Sequence, residues 1–312
     1  MDKVDTSYSE MDLHTSDSNS AKIKKLFTEL KSLIKIGIIN SNLITAFTGF
    51  WLAIFFTNTS ITMHWDTFFL TMIGSVLVIA GGCILNNWYD VDIDPIMTRT
   101  KNRPTVTGFF SLRSVLIMGI ITSLIGFILL SLTTIIATIF GFIGWFIYVV
   151  LYTMWSKRKY TLNTIVGSFS GAVPPLIGWT AVSPELHIVP IALFLIMFIW
   201  QTPHFLSLAM KKRDDYQAAN VPMLPVVYGF EFTKRQIVIY IACLLPLPLL
   251  LTSLGTTFVV IATILNIAWL IIGFRGFFTK DNLKWANMIF FYSLNYLTVM
   301  FLLMVIVTLP IF

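Results

Sequence analysis

Apolar runs of about twenty residues, recurring along the whole chain with only short polar breaks, leave this sequence few folds to adopt. A hydrocarbon layer about 30 Å thick needs about 20 mostly apolar residues per helical crossing. Such runs fall at Gly37–Phe56, Phe68–Asn87, Leu112–Leu132, Thr134–Met154, Leu162–Val182, Ile188–Leu208, Gln236–Leu254, Phe258–Phe278 and Trp285–Leu309. In lipid every backbone N–H and C=O must find its partner inside the protein, and the alternating pattern of barrel strands is missing. The expected fold is therefore all-α, a polytopic membrane protein with nine transmembrane helices. Composition agrees: 56% hydrophobic against 12% charged residues excludes an ordinary soluble domain of this length.

A net charge of +6 would suggest nucleic acid as a partner in a soluble protein. Here the cations report topology instead, and no nucleic acid is implied. With the N-terminus in the cytoplasm, all 21 Lys and Arg fall on the cytoplasmic side. They lie in the segment up to Lys35, in the loops after the second, fourth and sixth runs, and in the loop before the ninth. The opposite loops "TNTSITMHWD" and "SPELH" carry none. Nine crossings then put the C-terminus outside. Residues 1–32, rich in Ser and Asp and without an apolar signal core, read as a disordered cytoplasmic tail preceding a membrane domain over 33–312. Cys83 and Cys243 sit within apolar runs and read as packed thiols.

Polar residues are costly in such a chain, so their clustering is informative. The densest cluster is "NNWYDVDIDPIMTRTKNRP", Asn86 to Pro104, at the mouth of the second run. If the helix continues past the membrane, Asn86, Asp90 and Asp94, spaced by four, share one face and Asp92 points roughly opposite. Carboxylates crowded in a partly desolvated site need cations, and an oxygen-rich site suits Mg²⁺, which binds through one or two carboxylates plus substrate phosphates. Arg99 and Arg103 follow, and guanidinium groups match phosphate oxygens bidentately. Acids for a metal and bases for phosphate together describe a diphosphate site. A solvated loop of balancing charges is the bland alternative, against which the added Asn and the helix-mouth position weigh.

The loop after the sixth run repeats the theme, with Asp214 and Asp215 following Lys211, Lys212 and Arg213. Two such loops suggest a pseudo-repeat facing one cavity. Between them, in "YTMWSKRKYTLNTIVGSFSGAVPPLIGW", Lys157, Arg158 and Lys159 could reach a phosphate from the same side, although positive-inside placement alone would explain them, and Asn163 sits at the start of the fifth run with Tyr152 near the mouth. Gly167, Gly171 and Ala172 predict close helix packing, and Pro174–Pro175 an interruption of the fifth span. His204, in "WQTPHF", is a candidate substrate contact, although a lone membrane histidine more often packs or hydrogen-bonds than ligates iron.

The N-x-x-x-D-x-x-x-D of Asn86, Asp90 and Asp94, together with the "SKRKYTLNTIVGSFSGAVPPLIGW", "WQTPHF" and "DDYQAANVPMLPVVYG" blocks, resembles the UbiA-type intramembrane prenyltransferases. The last three blocks narrow the likeness to the heme-farnesylating branch. The resemblance runs from the first apolar run to the last. It implies nine helices around a central cavity, aspartate loops capping its cytoplasmic mouth, and Mg²⁺ bridging a prenyl diphosphate. It also implies the substrates farnesyl diphosphate and heme b, a bacterial cell membrane as the location, and transfer of the product to a heme A synthase.

On that basis Asn86, Asp90 and Asp94 hold the metal and serve catalysis, and Arg99, Arg103, Lys157 and Arg158 bind diphosphate. Tyr152, Asn163, His204, Asp214 and Asp215 contact substrate, and Tyr89 and Tyr152 could shield an allylic cation. One departure stands out: many relatives carry a second D-x-x-x-D after the sixth run, where this chain has "KKRDDYQ". A prenyltransferase acting on a quinone precursor is the alternative within the enzyme class. A membrane transporter is the alternative outside it, although the acids gather at one mouth and not at midplane.

Overall fold

The computed structural model describes residues 21–185 and 187–309. All regular structure among them is helical. The first helix, α1, is helical over the described residues 21–34 and ends at Lys35. Then come α2 (Ile36–Phe56), α3 (Trp65–Tyr89), α4 (Leu112–Ser131) and α5 (Ile135–Phe146), which runs on as a π-helix over Ile147–Ser156. The chain continues through α6 (Asn163–Gly171), α7 (Pro174–Thr180), α8 (Ile188–Lys211), the short α9 (Arg213–Ala218) and α10 (Leu224–Val227), and α11 (Gly229–Cys243). A 3₁₀ segment over Leu247–Leu254, α12 (Thr256–Arg275) and α13 (Asn282–Ile306) complete it.

Eight helices among the described residues are long and apolar enough to cross a membrane, as befits a multi-pass membrane protein. The fifth expected span, Leu162–Val182, is instead two short pieces, α6 and α7. Pro174 and Pro175 occupy the first positions of α7, and without N–H groups they cannot extend the ladder of α6. The sequence anticipated this interruption; its consequence is that neither piece alone spans. The seventh span is also broken. Pro248 has no N–H for the carbonyl of Leu244, and Asn266 of α12 supplies a donor across the gap, 2.8 Å from that oxygen.

The expected tail over residues 1–32 lies outside the described residues up to residue 20. From 21 onward the chain is helical.

Two large apolar cores meet at α2 and α7, which contribute to both. One apolar core joins α8, α11, α12 and α13 around Ile196, Trp200, Ile241, Trp269 and Phe301. The other joins α2, α3, α4, α5 and α7 around Phe50, Val78, Leu130 and Ile177. At the α2–α7 crossing a Cβ on Gly49 or Gly178 would run into the carbonyl oxygens of Pro175 or Ala46, so glycine is what lets these backbones touch. A third, small core packs Ile93 and Met97 of the first aspartate loop against Ala209, Val221 and Met223. It fastens the two acidic loops to each other at one end of the bundle.

Candidate functional site

The regular part of α3 stops at Tyr89, but the turn does not. Asp90 N–H donates to the carbonyl of Asn86 at 3.0 Å, and Asp94 N–H to that of Asp90 at 2.9 Å. These two i→i−4 bonds keep Asn86, Asp90 and Asp94 on one side, as their spacing predicted. All three are buried, and Asp90 and Asp94 have no solvent exposure. Asp92 faces away with its side chain 60% exposed and takes a bidentate pair from Arg158, at 2.6 and 2.7 Å. The Arg158 hydrogen bond holds the Asp92 carboxyl below the usual carboxylate range.

Each buried carboxylate has its own cation. Lys157 pairs with Asp90 Oδ2, and Arg103 Nη1 lies 2.6 Å from Asp94 Oδ2. Arg158 reaches Asp90 only weakly, at 3.4 Å. Asn86 Nδ2 donates to Asp90 Oδ2 at 2.8 Å and to the Thr153 hydroxyl at 3.1 Å. Thr153 is presented by the π-helix, whose wider turn lets its hydroxyl donate to the carbonyl of Tyr148 at 2.8 Å.

The amide oxygen of Asn86 is held by the Lys35 ammonium. Lys35 sits at the α1–α2 junction in the left-handed region, φ 55°, so the chain turns sharply there and its side chain enters the site. Burial, then the Arg103 charge, lowers the Lys35 pKa to about 7. Neither Lys35 nor Thr153 was picked out from the sequence. A lysine before an apolar run reads as a topology signal, and a threonine inside one carries no signal at all.

The donor set fits a divalent cation. Asp94 Oδ1 is buried and has no hydrogen-bond partner among the described residues. Among the same residues no three His, Cys, Asp or Glu side chains converge into a protein-only metal cage. Two carboxylates with a free oxygen suit Mg²⁺, which completes its octahedron with water and phosphate.

The remaining candidates divide. Arg99 is exposed and makes no ion pair among the described residues, so its charge is available at the mouth. Asp215 accepts from the Thr98 hydroxyl at 2.6 Å and from its N–H at 3.2 Å, tying the second loop to the first. Those bonds, the hydroxyl's foremost, hold the Asp215 carboxyl below its ordinary range. Asp214 lines a polar cleft of about 150 Å³ with Thr98, Lys211, Lys212 and Asp215. Asn163 supports a neighbour: its amide donates to the carbonyl of Lys157 at 3.3 Å.

Tyr152 stacks on Tyr148 with ring centroids 5.8 Å apart, and a Cβ on Gly167 would press on its ring at 3.2 Å. One face of the Tyr89 ring is taken by the Arg158 guanidinium, 4.9 Å away, as one face of the Tyr152 ring is by Tyr148. His204 lies between α8 and α13, its Nδ1 2.7 Å from the Ser293 hydroxyl and its ring stacked between Trp200 and Phe290. A side cleft of about 260 Å³ opens between α6, α8 and α11, lined by Thr164, Thr202, Phe232 and Gln236 among others. It contains no charged side chain, so it suits a neutral group and not a diphosphate.

The pattern of the UbiA prenyltransferase family matches residues 42–295. The protoheme IX farnesyltransferase of Oceanobacillus iheyensis is 65% identical over 313 residues, covering all of both chains. That of a Geobacillus species is 58% identical over 95% of this chain and 96% of its own. Among solved structures, a digeranylgeranylglyceryl phosphate synthase superposes with a TM-score of 0.71 at 19% identity, over 90% of this chain and 98% of that one. An Archaeoglobus fulgidus UbiA homolog bound to GPP and Mg²⁺ superposes with a TM-score of 0.65 at 14% identity, over 88% of this chain and 99% of that one.

Proposed function

The chain belongs to the UbiA prenyltransferase family, and we propose that it transfers the farnesyl group of farnesyl diphosphate to a vinyl group of heme b, giving heme O. The observation that carries the diphosphate half of this reading is Asp94, fully buried, with one oxygen unmet among the described residues, and flanked by Asp90, Arg103 and Lys157. The choice of heme as acceptor rests on the full-length likeness to protoheme IX farnesyltransferases.

In this reading Asp90 and Asp94 would hold Mg²⁺, a group also bound in the Archaeoglobus homolog, whereas Asn86, expected as a third ligand, has its amide oxygen engaged by Lys35. When bound, that ion supplies positive charge where the leaving diphosphate gathers negative charge. Arg103, Lys157 and Arg99 meet the remaining phosphate oxygens, with Arg158 at the margin. Lys35 and Thr153 orient Asn86, and Asn163 holds the backbone that carries Lys157. As the allylic C–O bond breaks, its electron pair leaves with the diphosphate. The vinyl π pair of heme b bonds to the allylic carbon, and water adds to the porphyrin-side cation and releases a proton. Atoms and electrons balance without an oxidant. Tyr152 presents a ring face to the cation, and the packed helices keep bulk water from intercepting it.

We further assign the site to the cytoplasmic face of a bacterial plasma membrane, with nine crossings when α6 and α7 count as one. The N-terminus then lies inside, any tail precedes α1, and the prenyl chain reaches the site from the lipid. The product passes to a heme A synthase. Asp214 and His204 contact substrate at the rim, and Asp215 acts through Thr98.

The test is to supply heme b and farnesyl diphosphate to membranes containing the protein and to look for heme O by mass. Asp90→Ala and Asp94→Ala should abolish the product while the chain stays in the membrane; full heme O from either would sink the site assignment. Prenylation of a quinone precursor with no heme O would overturn the acceptor.

A further inference from the structure

In α1 the residues Ile23, Leu26, Phe27, Leu30, Leu33 and Ile34 recur at helical spacing and form one stripe. The stripe changes environment along its length. Leu33 is fully buried against Ile84 and Val115, and the amide of Asn87 donates to its carbonyl at 2.8 Å. Leu30 is half-buried. Ile23, Leu26 and Phe27 are 56%, 41% and 59% exposed. The same apolar face that grips the ends of α3 and α4 thus continues past the edge of the bundle with nothing from the described residues beneath it.

Its orientation is fixed at both ends. Lys35 breaks the axis from α2 through its left-handed backbone, and Lys25 lies 5.5 Å over the Phe109 ring in the segment before α4. Hence α1 lies across the helix ends and does not continue the line of α2. At about 100° per residue, Lys22 flanks the stripe on one side and Lys24 and Lys31 flank it on the other. Glu29 is the single acidic residue from 21 to 35, against five lysines. An apolar stripe edged by lysines, beside the ends of the spanning helices α3 and α4, is the pattern of a helix seated in a headgroup layer.

We propose that α1 is an interfacial anchor, whose Ile23, Leu26 and Phe27 enter the leaflet on the aspartate side and whose flanking lysines engage anionic lipid headgroups. Because α1 ends at Lys35, whose side chain holds Asn86, seating the helix on the membrane also steadies one wall of the aspartate site. The anchoring itself does not depend on the proposed reaction.

The experiment uses the full chain in bilayer discs, with Cys243→Ser removing the exposed native thiol. A fluorophore is attached through Phe27→Cys on the stripe or Thr28→Cys on the opposite face, and a quencher is attached to the shallow part of the lipid chains. In discs containing anionic phospholipid the label at 27 should be quenched several-fold more than the label at 28. Lys22→Gln, Lys24→Gln and Lys31→Gln together should remove that contrast in proportion to the anionic fraction, at about fivefold in partitioning per lysine near the surface. Equal quenching at both positions overturns the proposal. So does a label at 27 shielded alike in detergent and in every bilayer, which would mean that the acidic residues before 21 cover the stripe. Heme O formation measured on the same discs reports separately on the proposed function.

Discussion

Arg103→Ala removes the only ion-pair partner that Asp94 has among the described residues. The carboxylate is left fully buried, with one oxygen already unmet and the other newly so. Breaking a buried pair from one side typically costs about 3–5 kcal/mol, because a charge stays desolvated without compensation. The Arg103 side chain is 13% exposed, so the lower end, about 3 kcal/mol, is the better expectation. Asp94→Asn in the same chain should recover most of that loss, since a neutral amide carries no uncompensated charge. Mg²⁺ should do the same by a different route: at about 100 times its Kd a ligand of the folded state adds about 2.7 kcal/mol.

The assay is thermal unfolding of the detergent-solubilised protein in EDTA and in Mg²⁺, for the wild type, Arg103→Ala and the double variant. Arg103→Ala should be the least stable in EDTA and gain the most from Mg²⁺, and the double variant should gain the least. In turnover, loss of a charge-assisted contact worth about 1.5–3 kcal/mol should raise KM for farnesyl diphosphate about ten- to a hundredfold. An Arg103→Ala chain as stable as the wild type in EDTA, and no more responsive to Mg²⁺, would refute both the pairing and the metal site.

Asp92→Asn should change stability by no more than about 1 kcal/mol and heme O formation by less than about twofold, because its pair with Arg158 is solvent-exposed; a loss as deep as that of Asp90→Ala would return Asp92 to the metal. Asp215→Ala and Thr98→Val should each raise KM for farnesyl diphosphate, Thr98→Val the less because its backbone N–H still reaches Asp215, and the double variant should be no worse than Asp215→Ala alone; additive losses would give Asp215 a direct role. Lys35 is expected to make unfolding pH-dependent in the substrate-free protein. Its pKa falls from 10.5 unfolded to about 7 folded, so between those values the unfolded chain binds more protons and stability rises with pH. The slope vanishes as pH drops below about 7, and Lys35→Met should flatten the rise in pH-scanned melting curves.

Much of the site was legible because its residues are close in sequence. Asn86, Asp90 and Asp94 lie on consecutive turns, and four-residue spacing works on the turn that outlasts α3 as it does on a helix. The outward placement of Asp92 followed from the same periodicity. Partners contributed by other elements were harder to see. Arg158 was expected at the diphosphate, yet its strongest bonds go to Asp92, a pairing across 66 residues that no local pattern encodes. Asp215 and Thr98 meet across 117 residues.

The apolar runs by themselves determined an all-helical chain that crosses a membrane, because backbone polar groups in lipid leave no other open structure. The lysine asymmetry and the proline pair set the expected orientation and the break in the fifth span. Tertiary structure decided which cation serves which carboxylate. It brought Lys35 into the site through a left-handed turn, Thr153 through a π-helical one, and joined the two acidic loops over Ile93, Met97 and Val221. Spacing along a helix fixes which side chains share a face. Which charge ends up opposite that face depends on how separate helices pack, and that is a property of the whole bundle.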